Sequence, residues 1–237
     1  MLTVDFEILK LKNGMRLLDA GCGSGRHICH AYNNYAVDVV GVDKNENDLA
    51  KTRSLLQAIS STKYHENNWS LICTDITNLS FPDESFDVII CSEVLEHVVM
   101  ADLALNELTR LLKRGGIMAI SIPQFFPERI CWALSDDYHN EAGGHIRIYK
   151  KKELLRMLSS VGLKYKQTCY KHGLHSPYWW LKCLVGHKKE DVKIVNLYKK
   201  ILEWDIIKKP FITRALDKFL NLFIAKSIVV YVQKTEG

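Results

Sequence analysis

Short apolar runs alternate with longer segments of helical periodicity through the first two thirds of the chain. This alternation is typical of a doubly wound α/β fold, in which a parallel sheet carries helices on both faces. The predicted strands cover residues 15–20, 37–42, 69–74, 86–91 and 116–122. The predicted helices between them cover residues 25–34, 46–59 and 101–112. The glycines at 115–116 are expected to end the last of these helices.

The pattern changes after the fifth predicted strand, where prolines interrupt it. A helix at 151–160, a strand at 163–170 and a β-branched strand at 227–233 follow. A terminal strand needs a partner, so we expect the last two strands to be neighbours at one edge of the sheet. The remaining segments, at about 123–145 and 173–226, are then cap insertions within a single domain, 1–237.

Composition and charge narrow the possible functions. Of the 237 residues, 47% are apolar and 25% are charged, as in an ordinary globular domain. The net charge of +5 suits an anionic substrate or membrane surface, but it is too small to indicate nucleic-acid binding. The first residues lack the apolar core of a secretory signal, so a cytoplasmic location is expected. No run approaches the roughly 18 apolar residues of a membrane-spanning helix, and nothing in the sequence indicates an oligomeric state.

A glycine-rich turn joins the first predicted strand to the first predicted helix, with the order D-A-G-C-G-S-G from Asp19 to Gly25. Glycines allow the backbone to approach a ligand and to adopt positive φ angles. The N-terminus of the following helix presents unpaired N–H groups. A dinucleotide-binding turn has the pattern G-x-G-x-x-G, but Arg26 occupies the third glycine position here, which disfavours an NAD-dependent oxidoreductase.

Three acids follow three successive predicted strands. Asp19 and Asp43 lie at the ends of the first two strands, and Asp75 follows the third. The carboxyl ends of strands in an open α/β sheet line one crevice, so these side chains are expected to meet there. An ionised carboxylate is an acceptor only, which suits Asp43 for ribose hydroxyls and Asp75 for an exocyclic amine. Ile76 could pack on a purine ring.

These segments together resemble the class I S-adenosylmethionine (SAM)-dependent methyltransferases, especially the small-molecule group called type 11. The resemblance covers about residues 9–170 and the last strand. It rests on the D-x-G-x-G-x-G turn, Asp43, the Asp75 and Ile76 pair, the F-P-D-E-S-F-D run at 81–87 and the L-K-R-G-G run at 112–116.

The resemblance implies a Rossmann-like seven-stranded sheet whose last strand is antiparallel, with a helical cap inserted before that strand. It also implies that SAM is the cofactor, that the glycines approach its methionine moiety, that Asp19 helps to hold its amino group, and that Asp43 holds the ribose. The candidate cofactor-binding residues are Asp19, Gly21, Cys22, Gly23, Gly25, Asp43, Lys44, Asp75, Ile76 and Ser92.

An E-V-L-E-H run follows the fourth predicted strand. Glu93, Glu96 and His97 are expected to share one helical face, which could bind a divalent metal. Similar runs in ubiquinone-pathway O-methyltransferases are associated with a metal and a later histidine, a position that His145 matches here. The alternative is that Glu96 pairs locally and His97 contacts cofactor or core. His145, His97 and Glu93 are the catalytic candidates, with His145 as a general base or a hydrogen-bond donor.

The 173–226 segment offers two interpretations. Its aromatic residues could bind an apolar acceptor, or they could be the core of the cap itself. Its lysine pairs at 188–189, 199–200 and 208–209 could be a solvated face. Interleaved with Trp204 and Phe211, the same lysines could rest on anionic lipid and give access to a lipid-linked acceptor.

Two functions follow from these observations. The first is SAM-dependent methyl transfer to oxygen, nitrogen or carbon of a small, possibly lipid-linked, molecule. The second is binding of an adenosyl cofactor without catalysis, with the cap as a docking surface.

Overall fold

Seven β-strands form one sheet within the part of the chain that the computed structural model describes, residues 1–62 and 67–235. Their order across the sheet is β3-β2-β1-β4-β5-β7-β6. Strands β1 to β5 pair in parallel, and β7 runs antiparallel to both β5 and β6. The predicted fold with an antiparallel last strand is confirmed. The strands are β1 Arg16–Ala20, β2 Asp38–Asp43, β3 Trp69–Cys73, β4 Phe86–Ser92, β5 Leu112–Pro123, β6 Leu163–Lys171 and β7 Ser227–Lys234.

Helices cover both faces of the sheet, because alternate residues of each strand point to opposite sides. Leu17 of β1 belongs to one buried apolar cluster and Leu18 to the other. Ile89 and Ile90 of β4 divide in the same way. The helices are α1 Phe6–Leu9, α2 Arg26–Asn34, α3 Glu46–Thr62, α4 Ala101–Leu111, α5 Phe125–Leu134, α6 Asp136–His139, α7 Lys151–Ser160, α8 His175–Val185, α9 Lys193–Lys208 and α10 Phe211–Ile224.

The direction of the chain reverses across the sheet between β1 and β4. From β1 the chain continues to β2 and β3 on one side, and it returns to β4 on the other side of β1. Loops that leave two such neighbouring strands diverge, which opens a crevice at their carboxyl ends. The glycine turn and the E-V-L-E-H run both begin at this crevice.

The helix predicted at 101–112 is present as α4, but the glycines at 115–116 do not end it. Helix α4 ends at Leu111, and Leu112 already pairs with Phe86 as the first residue of β5. The glycines instead belong to an irregularity inside β5, where the register with β4 shifts before Ile117. Gly115 has a φ of 73°, and a Cβ on Gly116 would lie 2.8 Å from the carbonyl oxygen of Asp87.

The cap consists of helices α5 and α6, which follow β5, and helices α8 to α10, which lie between β6 and β7. Sequence periodicity did not indicate α5 or α8. These two helices contact each other, and Trp180 Nε1 on α8 donates a hydrogen bond to the Pro127 carbonyl on α5 at 3.0 Å. Within the described residues, no helix combines the length and the apolar character needed to cross a bilayer.

Candidate active site

The glycine turn leaves β1 and is fixed to β2 by its backbone. The N–H groups of Gly21 and Cys22 both donate to the Val42 carbonyl, at 2.8 and 3.0 Å. Gly21, Gly23 and Gly25 have φ angles of 75°, 49° and 87°, in the region that favours glycine. A Cβ on Gly23 would meet nothing within 4 Å. Gly23 is therefore the position at which a ligand can come close to the backbone.

The other two glycines of the turn have packing roles. A Cβ on Gly21 would lie 2.3 Å from the Val94 side chain, which belongs to the loop after β4. A Cβ on Gly25 would lie 2.9 Å from Cys29 and Thr52. Gly21 thus allows the loop after β4 to sit against the turn, and the approach of the three glycines to the methionine moiety stays a prediction.

Asp43 connects the glycine turn to the end of β2. Its Oδ2 accepts a hydrogen bond from Gly23 N at 2.8 Å, and its Oδ1 accepts one from Asn45 N at 2.9 Å. A carboxylate has about four acceptor sites, so Asp43 retains lone pairs for a further donor. The carboxylate predicted to hold a ribose therefore also holds the turn in shape.

Asp19 is buried below the turn, with 1% of its surface exposed. Its Oδ2 accepts a hydrogen bond from Ile28 N at 2.9 Å on α2. Burial disfavours the ionised form and raises the pKa of Asp19 to about 7, although the bond from Ile28 opposes the shift. A cation that reached this carboxyl would restore its negative charge.

The remaining cofactor candidates differ in exposure. Asp75 is exposed and accepts hydrogen bonds from the backbone and hydroxyl of Thr77, which lower its pKa. Ile76 lies in the buried core, and Cys22 is also buried. Lys44 is exposed at the end of β2. The N–H of Thr74 donates to the Asp43 carbonyl at 3.0 Å, so the segment with Asp75 and Ile76 starts beside Asp43.

The predicted helical face of Glu93, Glu96 and His97 is wrong. Glu93 has a φ of 58°, and only a single 3₁₀ turn, Leu95–His97, follows it. The left-handed residue turns the chain sharply after β4, and Glu93 does not share a helical face with the other two side chains. Glu93 Oε1 accepts a hydrogen bond at 2.9 Å from Ser121 on β5.

Ser92 belongs to the same series of hydrogen bonds. Its hydroxyl lies 2.7 Å from the hydroxyl of Ser121. Because Ser121 donates to Glu93, Ser92 donates to Ser121. Removal from bulk solvent raises the pKa of Glu93, and the bond from Ser121 opposes that shift.

Glu96, His97 and His145 lie close together in the fold although they are far apart in the sequence. Gly144, next to His145, contacts His97 across 47 positions of sequence. His97 Nδ1 lies 3.0 Å from the Gly144 carbonyl, and Ile146 N donates to the Glu96 carbonyl at 3.0 Å. One ligand atom from each of Glu96, His97 and His145 lies within 4.8 Å of the others. The structure thus unites three of the four predicted metal ligands.

Glu96 is completely buried, and neither of its carboxyl oxygens has a hydrogen-bond partner among the described residues. Burial, and then repulsion from Glu93, raise the pKa of Glu96 well above its usual value. An unpartnered buried carboxyl group is costly, so it either stays protonated or meets a ligand.

Two residues of the site, Glu128 and Lys226, were missed in the sequence. Glu128 on α5 is fully buried; its Oε1 lies 2.6 Å from His145 Nδ1, and its Oε2 accepts from Lys226 Nζ at 2.5 Å. Burial opposes ionisation, but the bonds to His145 and Lys226 lower the pKa of Glu128 to about 2. The sequence could have indicated Lys226, because this lysine interrupts the apolar run from Phe223 to Val230. A charge buried in such a run requires a partner. Nothing in the sequence indicated Glu128.

We use the name charged cluster for Glu93, Glu96, His97, Glu128, His145 and Lys226. Aromatic rings border it: Tyr138 lies edge-on to His145 at 6.4 Å, and Lys226 Nζ lies 5.7 Å from the Trp179 ring centre. Trp179 and Tyr138 also contact each other, at 5.8 Å. Trp179 therefore borders the cluster, while Trp180 joins α8 to α5 within the cap.

A sequence profile of the methyltransferase domain matches residues 11–195, from the approach to β1 into the cap. The chain belongs to this methyltransferase domain family. The predicted class I SAM-dependent methyltransferase family is thereby confirmed, and the seven-stranded order described above is the one expected of its fold.

Named relatives align with part of the methyltransferase. A ubiquinone biosynthesis O-methyltransferase of Bradyrhizobium sp. is 33% identical over 113 residues, which cover 48% of this chain and 42% of that protein. A sterol 24-C-methyltransferase of Aspergillus fumigatus is 27% identical over 143 residues, which cover 58% of this chain and 33% of that protein. The alignments thus span less than half the length of these relatives.

Solved structures share the fold over nearly the whole chain. The YcgJ protein of Bacillus subtilis has a TM-score of 0.64 with 18% identity, over 98% of this chain and 96% of that one. A geranyl diphosphate C-methyltransferase of Streptomyces coelicolor has a TM-score of 0.64 with 14% identity, over 97% and 76%. The [4+2]-cyclase SpnF has a TM-score of 0.62 with 22% identity, over 98% and 79%. These likenesses establish the fold.

Proposed function

We propose that this methyltransferase transfers the methyl group of SAM to a hydroxyl oxygen of a small, largely apolar molecule. The observation that carries the proposal is the hydrogen-bonded series Lys226, Glu128 and His145, which places an imidazole in the cluster that follows β4. An oxygen acceptor benefits from a general base, whereas an amine or an ionised group needs less help.

The cofactor site fits SAM in two respects. Gly23 leaves open space at the backbone, and Asp43 has acceptor capacity for ribose hydroxyls. Asp19 is the partner we assign to the SAM amino group. When bound, SAM supplies a methyl group on a positively charged sulfur. Contact between Gly21 and Val94 joins this site to the loop of the charged cluster, which brings donor and acceptor together.

The tautomer of a neutral His145 follows from its partner. The low pKa of Glu128 keeps this residue ionised, so its oxygens can only accept, and His145 Nδ1 must donate. Nε2 is then the basic nitrogen. In the proposed step, Nε2 takes the hydroxyl proton while the hydroxyl oxygen forms a bond to the methyl carbon. SAM held by the glycine turn, Asp43 and Asp19 would supply the methyl group and would retain the electron pair of the carbon–sulfur bond on its sulfur. Glu128 and Lys226 act as positioning residues.

One observation favours a second way to activate the acceptor hydroxyl, which is a divalent metal in the charged cluster. The unpartnered oxygens of Glu96 lie in the group with His97 and His145, which would supply three ligands. A metal there would activate the acceptor hydroxyl directly. Elemental analysis of protein purified without chelator, and turnover in EDTA, separate the two arrangements. Full turnover of metal-free protein supports the general base, and loss of turnover that a metal restores supports the cation.

The acceptor we propose is apolar and lipid-linked. Trp179 and Tyr138 border the charged cluster and offer ring surfaces to an apolar molecule. The names of the two relatives refer to ubiquinone and to a sterol, which are both apolar compounds. A lipid extract is therefore the first acceptor source to test.

The test uses methyl-labelled SAM with lipid and aqueous extracts, and it compares the wild type with His145→Ala. We expect a labelled lipid-soluble product from the wild type only. The alternative is cofactor binding without methyl transfer, with the cap as a docking surface. Binding of SAM with no labelled product from either extract would support that alternative.

A further inference from the structure

The corner between α9 and α10 exposes large apolar residues next to lysines. Its sequence is I-I-K-K-P-F-I at 206–212, called here the α9–α10 corner. Ile207, Phe211 and Ile212 are 73%, 86% and 76% exposed, and Lys208 and Lys209 between them are exposed as well. Contiguous apolar surface of this kind on a soluble protein marks an interaction site.

Contacts between α9 and α10 hold the corner in this exposed position. Lys209 has a φ of 49°, which turns the chain from one helix into the next. The buried Asp205 on α9 accepts a hydrogen bond from the Thr213 hydroxyl on α10 at 2.5 Å, and Arg214 lies 3.7 Å from the same carboxylate. These contacts fix the two helices on each side of the corner, so its apolar residues stay outside.

Helix α10 extends the apolar surface because its polar side chains face the protein and its large apolar side chains face outward. Asp217 accepts from Leu174 N at 3.0 Å and Asn221 accepts from Gly173 N at 2.7 Å, so polar side chains face the protein. The outward side chains are apolar, large and exposed, at a spacing that puts them on one helical face: Ile212, Leu216, Phe219 and Phe223. A helix in water normally has the opposite arrangement.

The charge of the cap indicates what covers this surface. Residues 173–226 contain eleven lysines and arginines and five acids, a formal charge of +6, whereas the whole chain carries +5. This segment, with helices α8 to α10, therefore accounts for all of the positive excess. Basic residues beside exposed aromatic and aliphatic side chains are the composition of segments that lie in the interface of anionic bilayers.

We infer that the α9–α10 corner and the outer face of α10 dock the protein on an anionic membrane surface. Phe211, Ile207 and Ile212 enter the boundary between headgroups and acyl chains, and Lys208 and Lys209 contact the lipid phosphates. The inference depends on this surface alone and not on the identity of the methyl acceptor. Because α10 ends two residues before Lys226, docking would place the membrane next to the segment that completes the charged cluster.

Vesicle flotation of the full chain tests the inference. Vesicles of phosphatidylcholine mixed with phosphatidylglycerol should carry the wild type upward, and vesicles of phosphatidylcholine alone should carry much less. Phe211→Ser with Ile212→Ser, and separately Lys208→Glu with Lys209→Glu, should each lower partitioning about tenfold or more. High salt should reduce the binding of the wild type.

Matched control variants carry the same kinds of substitution at exposed positions outside the cap. Leu55→Ser with Leu103→Ser changes two exposed apolar residues on α3 and α4, and Lys152→Glu with Arg156→Glu reverses two exposed charges on α7. Both controls should float like the wild type. SAM affinity, measured on every variant, shows that each is folded and keeps this test separate from that of the proposed activity.

Three results would overturn the inference. The first is equal flotation of the corner variants and the wild type, and the second is no flotation of the wild type at low salt. The third is a wild-type dimer that becomes monomeric in the Phe211→Ser and Ile212→Ser variant without vesicle binding by either form, which would assign the surface to a second copy of the chain.

Discussion

The glycine turn and the charged cluster meet at Val94, but they are assembled over very different lengths of sequence. In the glycine turn, Gly23 and Asp43 are 20 positions apart, and backbone groups make most of the contacts. In the charged cluster, Lys226 and Glu128 are 98 positions apart, and both are side chains delivered by the cap. The first region depends on one strand–turn–helix unit, and the second depends on the whole fold.

The two regions also differ in electrostatics. Burial raises the pKa of Asp19 to about 7, although the bond from Ile28 and the charge of Arg26 oppose the shift. Glu128 is equally buried, yet His145 and Lys226 lower its pKa to about 2. This difference fits the two proposed roles. The turn would bind a cationic ligand at Asp19, whereas in the cluster Glu128 is already paired with His145 and Lys226 for a proton transfer. Variants of the cluster should therefore change methyl transfer without changing SAM affinity.

The largest effect expected is that of His145→Ala. Loss of the general base should lower kcat about 100- to 10,000-fold. SAM affinity should remain that of the wild type, because His145 contacts the cluster and not the glycine turn. Single-turnover assays with labelled SAM measure the first quantity, and calorimetry measures the second. A variant that loses SAM binding and turnover together would show that the two regions are not separable.

Glu128→Gln should destabilise the protein by about 3–5 kcal/mol, because it leaves the Lys226 charge buried without its carboxylate. Adding Lys226→Met removes both charges and should recover most of that stability. The double variant should still turn over about tenfold more slowly than the wild type, because His145 has lost the acceptor that orients it. Denaturant unfolding and steady-state kinetics measure the two effects. Recovery of full activity in the double variant would show that Glu128 does not position His145.

These two regions also show what the sequence could predict. The glycine turn between a strand and a helix, and Asp43 at the end of the next strand, were predictable because short-range patterns encode these elements. The antiparallel last strand was predicted from the resemblance to a known family. Glu128 was not predictable, since nothing in a single helix tells which acid will meet a lysine from the far end of the cap. The prediction that Glu93 shares a helical face with Glu96 and His97 was wrong for a local reason. Glu93 adopts a left-handed conformation after β4, and a glutamate does not suggest that conformation.

A smaller effect should appear in the pH dependence of SAM binding. The SAM amino group needs an ionised Asp19, and the protonated form predominates below a pKa of about 7. Affinity should therefore fall as the pH drops below about 7, by at most about tenfold per pH unit. The same raised pKa means that the unliganded protein loses stability as the pH rises from the unfolded value of 3.8 toward 7. Titration calorimetry across this range should show the affinity trend in the wild type and a flat profile in Asp19→Asn.

The most direct test of the account is titration of SAM into the wild type, Asp43→Ala and His145→Ala. We expect the wild type and His145→Ala to bind SAM with equal affinity. Asp43→Ala should bind at least about tenfold more weakly, because the charged acceptor of Gly23 N and of the ribose is lost. Normal SAM binding by Asp43→Ala, or no binding by the wild type, would contradict the assignment of the glycine turn as the cofactor site.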